Sequence, residues 1–325
     1  MLGLLPGNIT RELEGLDFQV PLVGAAPDIA RLLNSTVVQG GKRIRPALTL
    51  LMGAILGVPS DRLAPYARAA ELTHSASLAH DDVIDVAKTR RGSDSINVVA
   101  SNRRAVLAGD LLLSQVMVEI SRLGEIEAMR ELSLAVSDLV RGEWLQLEAR
   151  GVVRVRRSAV DEVAQLKTAS LIAWCCWVPA LLARLDSDLQ QKCREFGSAV
   201  GLSFQWIDDV VDFEPAGPKG FAQDLHSGLV NAVGVECLDA DPESVPRVQA
   251  WFVRSGEPAV EFPWSFAQVE AAQAKVRDRA RTKMAEALTL LKVIVERTAG
   301  AQGRDVSEHV QCFVEVFEVL SDRTF

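Results

Sequence analysis

Hydrophobic positions recur along this chain at three- and four-residue spacing, the period of helices that pack by one face. "APDIARLLNSTVV" opens with Pro27 and Asp28, and "RPALTLLMGAILG" sets Pro46 near its start and Gly57 at its end, as helix boundaries should be. "DRLAPYARAAELTHSASLAHDDVIDVA" predicts one long helix with Pro65 in its first turn. "RRAVLAGDLLLSQVMVEISRLG", "EAMRELSLAVSDLVRGEWLQLEA", "SAVDEVAQLKTASLIAWCCWVPALLARL" and "LQQKCREFGSAVGLSFQWIDDVVDF" predict further long helices. "SFAQVEAAQAKVRDRARTKMAEALTLLKVIVERTAG" and "SEHVQCFVEVFEVL" close the pattern. "GVVRVRR" (151–157) is the one β-like fragment, too short to anchor a sheet. The stretch "EPAGPKGFAQDLHSG" (214–228) has the composition of a connection. No repeat, low-complexity tract or separating linker interrupts the pattern. The prediction is a single all-α domain over residues 1–325. Several helices are apolar on most faces, which implies a helix at the centre of the bundle.

Composition narrows the partners. The 325 residues are 48% hydrophobic, enough for a large core, and carry a net charge of −8. That charge argues against nucleic acid as partner, yet leaves room for local basic pockets that hold small phosphorylated ligands. The five cysteines (Cys175, Cys176, Cys193, Cys237, Cys312) sit in apolar helical patterns without metal-type spacing, as reduced thiols of a cytosolic protein would. The start "MLGLLPGNITRELEG" lacks the basic region and apolar core of a secretory signal, and no uninterrupted apolar run is long enough to span a membrane. A cytoplasmic protein without a transmembrane segment is expected.

In "HDDVID" the aspartates Asp81 and Asp85 share one helix face, with Asp82 turned by about 100°. Carboxylates so placed repel one another, and burying them unpaired is costly, unless a hard cation sits between them. Magnesium suits the arrangement, because it commonly takes one or two carboxylates together with substrate phosphates. A single such cluster could be a solvated helix face. The second set, Asp208, Asp209 and Asp212 in "QWIDDVVDFE", repeats the spacing inside another apolar helix. Facing each other, the two sets could hold several metal ions around one diphosphate.

Cations for the phosphates are at hand. "QGGKRIRP" offers Lys42, Arg43 and Arg45 beside a glycine pair and a helix start; "KTRRG" offers Arg90 and Arg91. Lys167 and Thr168 lie mid-helix among apolar residues, and Lys219 follows the second acidic set. His74 lies two helical turns before Asp81, on the same face, while His80 points elsewhere. No nucleophile elbow, P-loop or dinucleotide glycine fingerprint is present.

These segments, "GGKRIRP", "HSASLAHDDVID…TRRG", "AVLAGDLLL", "GEWLQLE", "KTASL" and "FQWIDDVVDF", resemble in order and spacing the trans-isoprenyl diphosphate synthases, or polyprenyl synthetases. The similarity runs from about residue 28 to the C-terminal helices, with a motif-bearing core of about 28–235 and C-terminal helices of about 264–322. The resemblance implies an isoprenoid-synthase-type helical bundle around a deep central cavity, and a homodimer. It implies extension of an allylic diphosphate of farnesyl or geranylgeranyl type by isopentenyl diphosphate. By resemblance, Asp81, Asp85 and Asp208 would bind two or three Mg2+ ions, with Mn2+ as a substitute, supported by Asp82, Asp209 and Asp212. Arg90, Lys167, Thr168, Gln205 and Lys219 would hold the allylic diphosphate. Lys42, Arg45, His74 and Arg91 would hold isopentenyl diphosphate.

Product length follows from the residues one turn before Asp81. Ala76 and Ser77 are small there, where short-chain members of the family carry aromatics, so the floor is expected to be open and the product long, of the heptaprenyl or octaprenyl type. Met117 or Ile120 could set a deeper stop. The family continues after its second motif with Gly-Lys, Thr and Pro; here Leu229, Asn231 and Val233 stand at the last three positions. That departure raises the alternative of a non-catalytic or regulatory subunit of a two-component synthase. A terpene cyclase of related fold is the third reading, against which "GGKRIRP" and Arg91 count.

Overall fold

The structure, a computed structural model, describes residues 2–20, 27–214, 221–254 and 261–321. In chain order the helices are α1 (Gly7–Glu14), α2 (Pro27–Ser35), α3 (Ile44–Leu56) and α4 (Ser60–Ile84). After a hairpin of β1 (Thr89–Arg90) and β2 (Ser93–Asp94) come α5 (Ile96–Val99), α6 (Asn102–Arg122), α7 (Ile126–Ala149) and α8 (Arg157–Ala164). A π-helical turn, Gln165–Ala169, joins α8 to α9 (Ser170–Leu182), followed by α10 (Ser187–Asp212), α11 (Gln223–His226), α12 (Ala232–Ala240) and α13 (Val245–Arg254). The last are α14 (Phe266–Val295), a second π turn (Glu296–Gly300) and α15 (Ser307–Ser321). The expected all-α class is what the chain adopts.

Two compact units can be drawn. The first comprises Met1–Val136, Trp174–Gln190 and Val295–Cys312; the second comprises Ser137–Ala173, Gln191–Ile294 and Phe313–Phe325.

The core of the first unit is α4, which packs on α3 and α6. Five buried alanines (Ala67, Ala69, Ala70, Ala76, Ala79) give it little girth, so its neighbours come close all round. Where α4 crosses α6, a methyl group on Gly109 would stand 2.4 Å from the His80 ring. His80 is therefore a packing residue, with Nε2 3.2 Å from the Val106 carbonyl oxygen and 3.3 Å from Asp110. The end of α3 is satisfied from far along the chain: Arg304 donates from Nη2 to the Ile55 carbonyl (2.9 Å) and from Nη1 to the Ala54 carbonyl (3.3 Å).

In the second unit an ion-pair network ties α8, α10, α12 and α14 together. Arg279 of α14 donates to both oxygens of Asp161 and stacks over the Trp206 ring, whose Nε1 donates to the same Asp161. Arg157 of α8 pairs with buried Glu236 and with Asp239 of α12.

Some expectations fail for local reasons. Pro65 lies inside α4 rather than in its first turn, because the helix already begins at Ser60 behind Pro59. "GVVRVRR" forms no strand: it is a turn, fixed by the Gly151 N–H donating to the Gly228 carbonyl at 2.8 Å, before α8 begins at Arg157. The strand pairing among the described residues is the hairpin in "TRRGSD", where Arg91 (φ 52°) and Gly92 (φ 80°) supply the two left-handed positions that a tight hairpin turn demands. The run Arg157–Leu182 is long and apolar enough to cross a membrane by length and composition, although Asp161, Glu162 and Lys167 interrupt it. Its most apolar window is 83% buried within the protein, as in a core helix. All five cysteines are buried and unbridged. Burial pushes the thiols of Cys175, Cys193 and Cys237 up to about 12, which keeps them protonated and unreactive.

Candidate active site

Both acidic triplets stand at the C-terminal ends of long helices: Asp81 and Asp82 in the last turn of α4 with Asp85 capping it, and Asp208, Asp209 and Asp212 in the last turns of α10. A helix C-terminus carries partial negative charge, so carboxylates are disfavoured there and cations favoured, yet neither last turn contains a basic residue. Burial sorts the six aspartates. Asp82 is 0%, Asp209 5% and Asp212 9% exposed, whereas Asp81 is half-buried and Asp85 and Asp208 are exposed. The buried three have structural partners. Asp82 accepts from Arg90 Nε at 2.6 Å and from the Ile96 N–H at 3.4 Å. Asp209 accepts from Gln205 Nε2 at 2.9 Å and the Ala232 N–H at 3.0 Å, and Asp212 accepts from the N–H groups of Gln223 and Asp224. Burial, with Asp224 and Asp208 nearby, holds the Asp209 carboxyl well above the usual carboxylate range.

In the first unit the basic candidates gather around His74. Arg43 occupies the N-cap of α3 with φ 49°. Its guanidinium donates to Glu71 (2.8 Å) and the Val38 carbonyl (2.6 Å) and lies 4.3 Å over the Phe18 ring, so this arginine is a scaffold rather than part of a phosphate cradle. Arg45, two residues on, has a buried Nε without a hydrogen-bond partner among the described residues. Burial lowers its pKa, opposed by Glu71 and aided by Arg91. Since an arginine stays charged, such a site gains by taking in an anion. Arg91 lies across Gly41 and donates from Nη1 to the Gln39 carbonyl at 2.9 Å, which joins the "TRRG" turn to the "QGGKRIRP" loop. Lys42 is exposed on that loop. Burial, then the positive charges of Arg45, Arg91, Arg90 and Arg43, keep His74 well below the ordinary histidine pKa, so its ring is neutral near pH 7. Arg90 is committed to Asp82 by two nitrogens.

In the second unit Lys167 and Thr168 sit in the π turn, a geometry that often marks functional sites. Two glycines press on that turn. A methyl group on Gly142 of α7 would stand 2.9 Å from the Lys167 backbone nitrogen, and one on Gly201 of α10 would stand 2.6 Å from Ala169 Cα. Thr168 donates to Gln205 at 2.6 Å, and Gln205 donates to Asp209, a relay that links the turn to the second acidic set. Lys167 forms an ion pair with buried Glu143. Asn231 caps α12 by accepting from the N–H groups of Val233 and Gly234, and donates to Asp224. Lys219 lies outside the described residues.

A narrow slot in the first unit lies beside Thr73 of α4, two helical turns before Asp81. Its wall includes Thr73, Leu113, Val116, Met117 and Ile120, and its volume is about 10 Å3, room for roughly one water. Met117 and Ile120, the residues expected to set a deeper stop, line it; fully buried Ala76 and half-buried Ser77 do not. Sequence reasoning gave no role to Glu143 or Asn231. No signal marks Glu143 in the sequence, because α7 carries several other acids, among them Glu127, Glu131, Asp138 and Glu148.

A family model described as polyprenyl synthetase matches residues 26–261. The chain belongs to the polyprenyl synthetase family. It is 32% identical over 307 residues to solanesyl-diphosphate synthase 1, mitochondrial, of Oryza sativa subsp. japonica, covering 87% of this chain and 69% of that protein. It is 33% identical over 259 residues to the human all trans-polyprenyl-diphosphate synthase PDSS1, covering 76% of this chain and 62% of that protein. The alignments thus span about two thirds of the length of these relatives. Among solved structures, a polyprenyl synthase from Caulobacter crescentus CB15 complexed with calcium and isoprenyl diphosphate matches with a TM-score of 0.78 at 22% identity, over 98% of this chain and 94% of the other. The fold is that of the isoprenoid-synthase helical bundles.

Proposed function

We propose that this polyprenyl synthetase condenses isopentenyl diphosphate with an allylic diphosphate of farnesyl or geranylgeranyl type and makes a long all-trans polyprenyl diphosphate. The observation that carries the reading is the placement of two acidic triplets at the negative ends of two long helices, neither balanced by a basic residue in its last turn. Asp81 and Asp85 in the first unit and Asp208 in the second, the more exposed members, have the oxygen-donor chemistry that a hard cation selects; no three such side chains form a ready metal cluster among the described residues, and Mg2+, which takes one or two carboxylates with water and phosphate oxygens, suits them. Bound there, Mg2+ would stabilise the charge that develops on a departing diphosphate. Asp82, Asp209 and Asp212 hold the loops and helix ends around those ligands.

Lys167 and the Thr168–Gln205 relay take the allylic diphosphate, with Arg90 held in place by Asp82. Arg45, Arg91, Lys42 and neutral His74 take isopentenyl diphosphate; the partnerless Nε of Arg45 supports an anion there. With its leaving group held, the allylic substrate ionises, and the double bond of isopentenyl diphosphate attacks the cation. Transfer of a proton to the released diphosphate ends the round. No covalent enzyme intermediate is required.

The product is long because the residues along α4 before Asp81 are small, and the Met117–Ile120 slot is the place where growth stops. Two copies of the chain pair through the exposed apolar residues Leu107 and Val118 of α6 and Ile126 and Leu134 of α7. The five buried, unbridged thiols support a reducing compartment, the cytoplasm.

The test is incubation of the purified chain with labelled isopentenyl diphosphate, Mg2+ and farnesyl or geranylgeranyl diphosphate, followed by product sizing. Linear elongation by the chain alone is expected. Elongation only after a second protein is added would establish a subunit of a two-component enzyme, and a cyclic hydrocarbon would establish a cyclase.

A further inference from the structure

We propose that Glu143 is a positioning residue that fixes the Lys167 ammonium where the diphosphate of the allylic substrate must bind. The inference rests on the reading of Lys167 given above. Glu143 is 9% exposed, and neither of its carboxylate oxygens has a hydrogen-bond partner among the described residues. What it does have is the ion pair with Lys167 Nζ. A buried acid held by a single cation is a poor device for stability, since an apolar side chain of similar size would serve the fold as well or better. Its burial on α7 beside a lysine asks for a function.

The pair is asymmetric. The Glu143 side chain is 12% exposed and that of Lys167 27%, so the acid forms the closed end and the ammonium the open one. An ammonium has three donors, and the ion pair with Glu143 engages one of them. A lysine stem is otherwise the most mobile of cationic side chains, and its disorder is lost on binding. Glu143 removes that loss beforehand. The backbone is held by the same segment, because Gly142, the preceding residue, presses on the Lys167 nitrogen. One turn of α7 thus fixes both ends of the lysine.

The sign of the effect separates this from simple charge. A carboxylate near an anion site that acted only through its charge would repel diphosphate, and its removal would tighten binding. A positioning carboxylate does the opposite. The experiment is equilibrium binding of farnesyl diphosphate and of isopentenyl diphosphate, each with Mg2+, to the full chain, to Glu143→Gln and Glu143→Asp, and to both Lys167→Gln and the double variant Lys167→Gln/Glu143→Gln. Glu143→Gln is expected to weaken farnesyl diphosphate about tenfold and leave isopentenyl diphosphate within about twofold, as when one charge-assisted hydrogen bond is removed. In the Lys167→Gln background the second substitution is expected to add nothing. Tighter binding of farnesyl diphosphate, equal weakening of both ligands, or an undiminished effect without the lysine would each overturn the proposal. Glu143→Asp, which withdraws the carboxylate by one methylene but keeps its charge, must show a smaller loss for the same ligand alone; if Glu143→Gln does not fold, this variant decides. Failure of the unmodified chain to bind either diphosphate would overturn the functional reading and this inference together, whereas normal binding untouched by both substitutions would overturn this inference alone.

Discussion

Gly142→Ala probes how tightly the π turn is held. The added methyl would meet the Lys167 backbone nitrogen at 2.9 Å, Leu166 Cβ at 3.0 Å and Lys167 Cβ at 3.2 Å. Carbon contacts are comfortable at about 3.5–4.0 Å, so the turn must retreat by about 0.6 Å or more. None of the three atoms is the far end of a flexible side chain, so the movement falls on the backbone that carries Lys167 and Thr168. Misplacing a substrate-positioning group by about 1 Å can cost about 100-fold in rate, so a retreat near half that distance should lower turnover about tenfold. Stability moves less: overpacking costs about 1–3 kcal/mol, while replacing a helical glycine with alanine returns about 1 kcal/mol. The assay is steady-state elongation of farnesyl diphosphate, with thermal unfolding in parallel and Gly7→Ala, whose methyl would meet nothing within 4 Å, as the control. A Gly142→Ala protein with unchanged kcat and KM would refute the clamp.

Other outcomes follow from named contacts. His74 titrates far below its unfolded value of about 6.5, so the unfolded chain binds the extra proton first; its contribution is whole above that pH and is lost as pH falls from 6.5 toward the folded value. His74→Gln should flatten the dependence of Tm on pH in that window, and an unchanged slope would show that the ring titrates normally. Asn231→Ala removes the cap of α12 and the contact with Asp224 and should cost about 1–2 kcal/mol in denaturant unfolding, whereas a loss below a few tenths would show the cap to be idle. Ala76→Phe should shorten the polyprenyl product, read by chromatography of the dephosphorylated chains. Full-length product from a folded variant would remove α4 from the wall of the growing chain.

The helices were readable because their apolar positions repeat at one period and because Pro27, Pro46 and Gly57 mark boundaries. The short helices α1, α11, α12 and α13 escaped, since a few turns with mixed polarity give no lasting period. The β-like alternation of "GVVRVRR", too short to anchor a sheet, belongs to a turn held by a distant carbonyl, that of Gly228. Spacing located both aspartate triplets but not their division into buried and exposed members, since the buried ones accept from N–H groups distant in sequence, those of Ile96, Ala232 and Gln223. Arg43 and Arg45 looked alike in "GGKRIRP". Glu71 and Phe18, far away in sequence, separate them by binding the first.

The π turn at Gln165–Ala169 is an α-helix wound with one residue too many. Deleting a single residue there would restore ordinary winding and swing everything beyond it by about 100° about the helix axis relative to α8. The packing around α9 would have to be rebuilt, since Leu171, Ile172, Trp174 and Val178 are all buried. The lysine and threonine could not keep their present stations against Glu143 and Gln205. One extra residue therefore sets at once where the lysine and threonine stand and how the apolar helix beyond them packs.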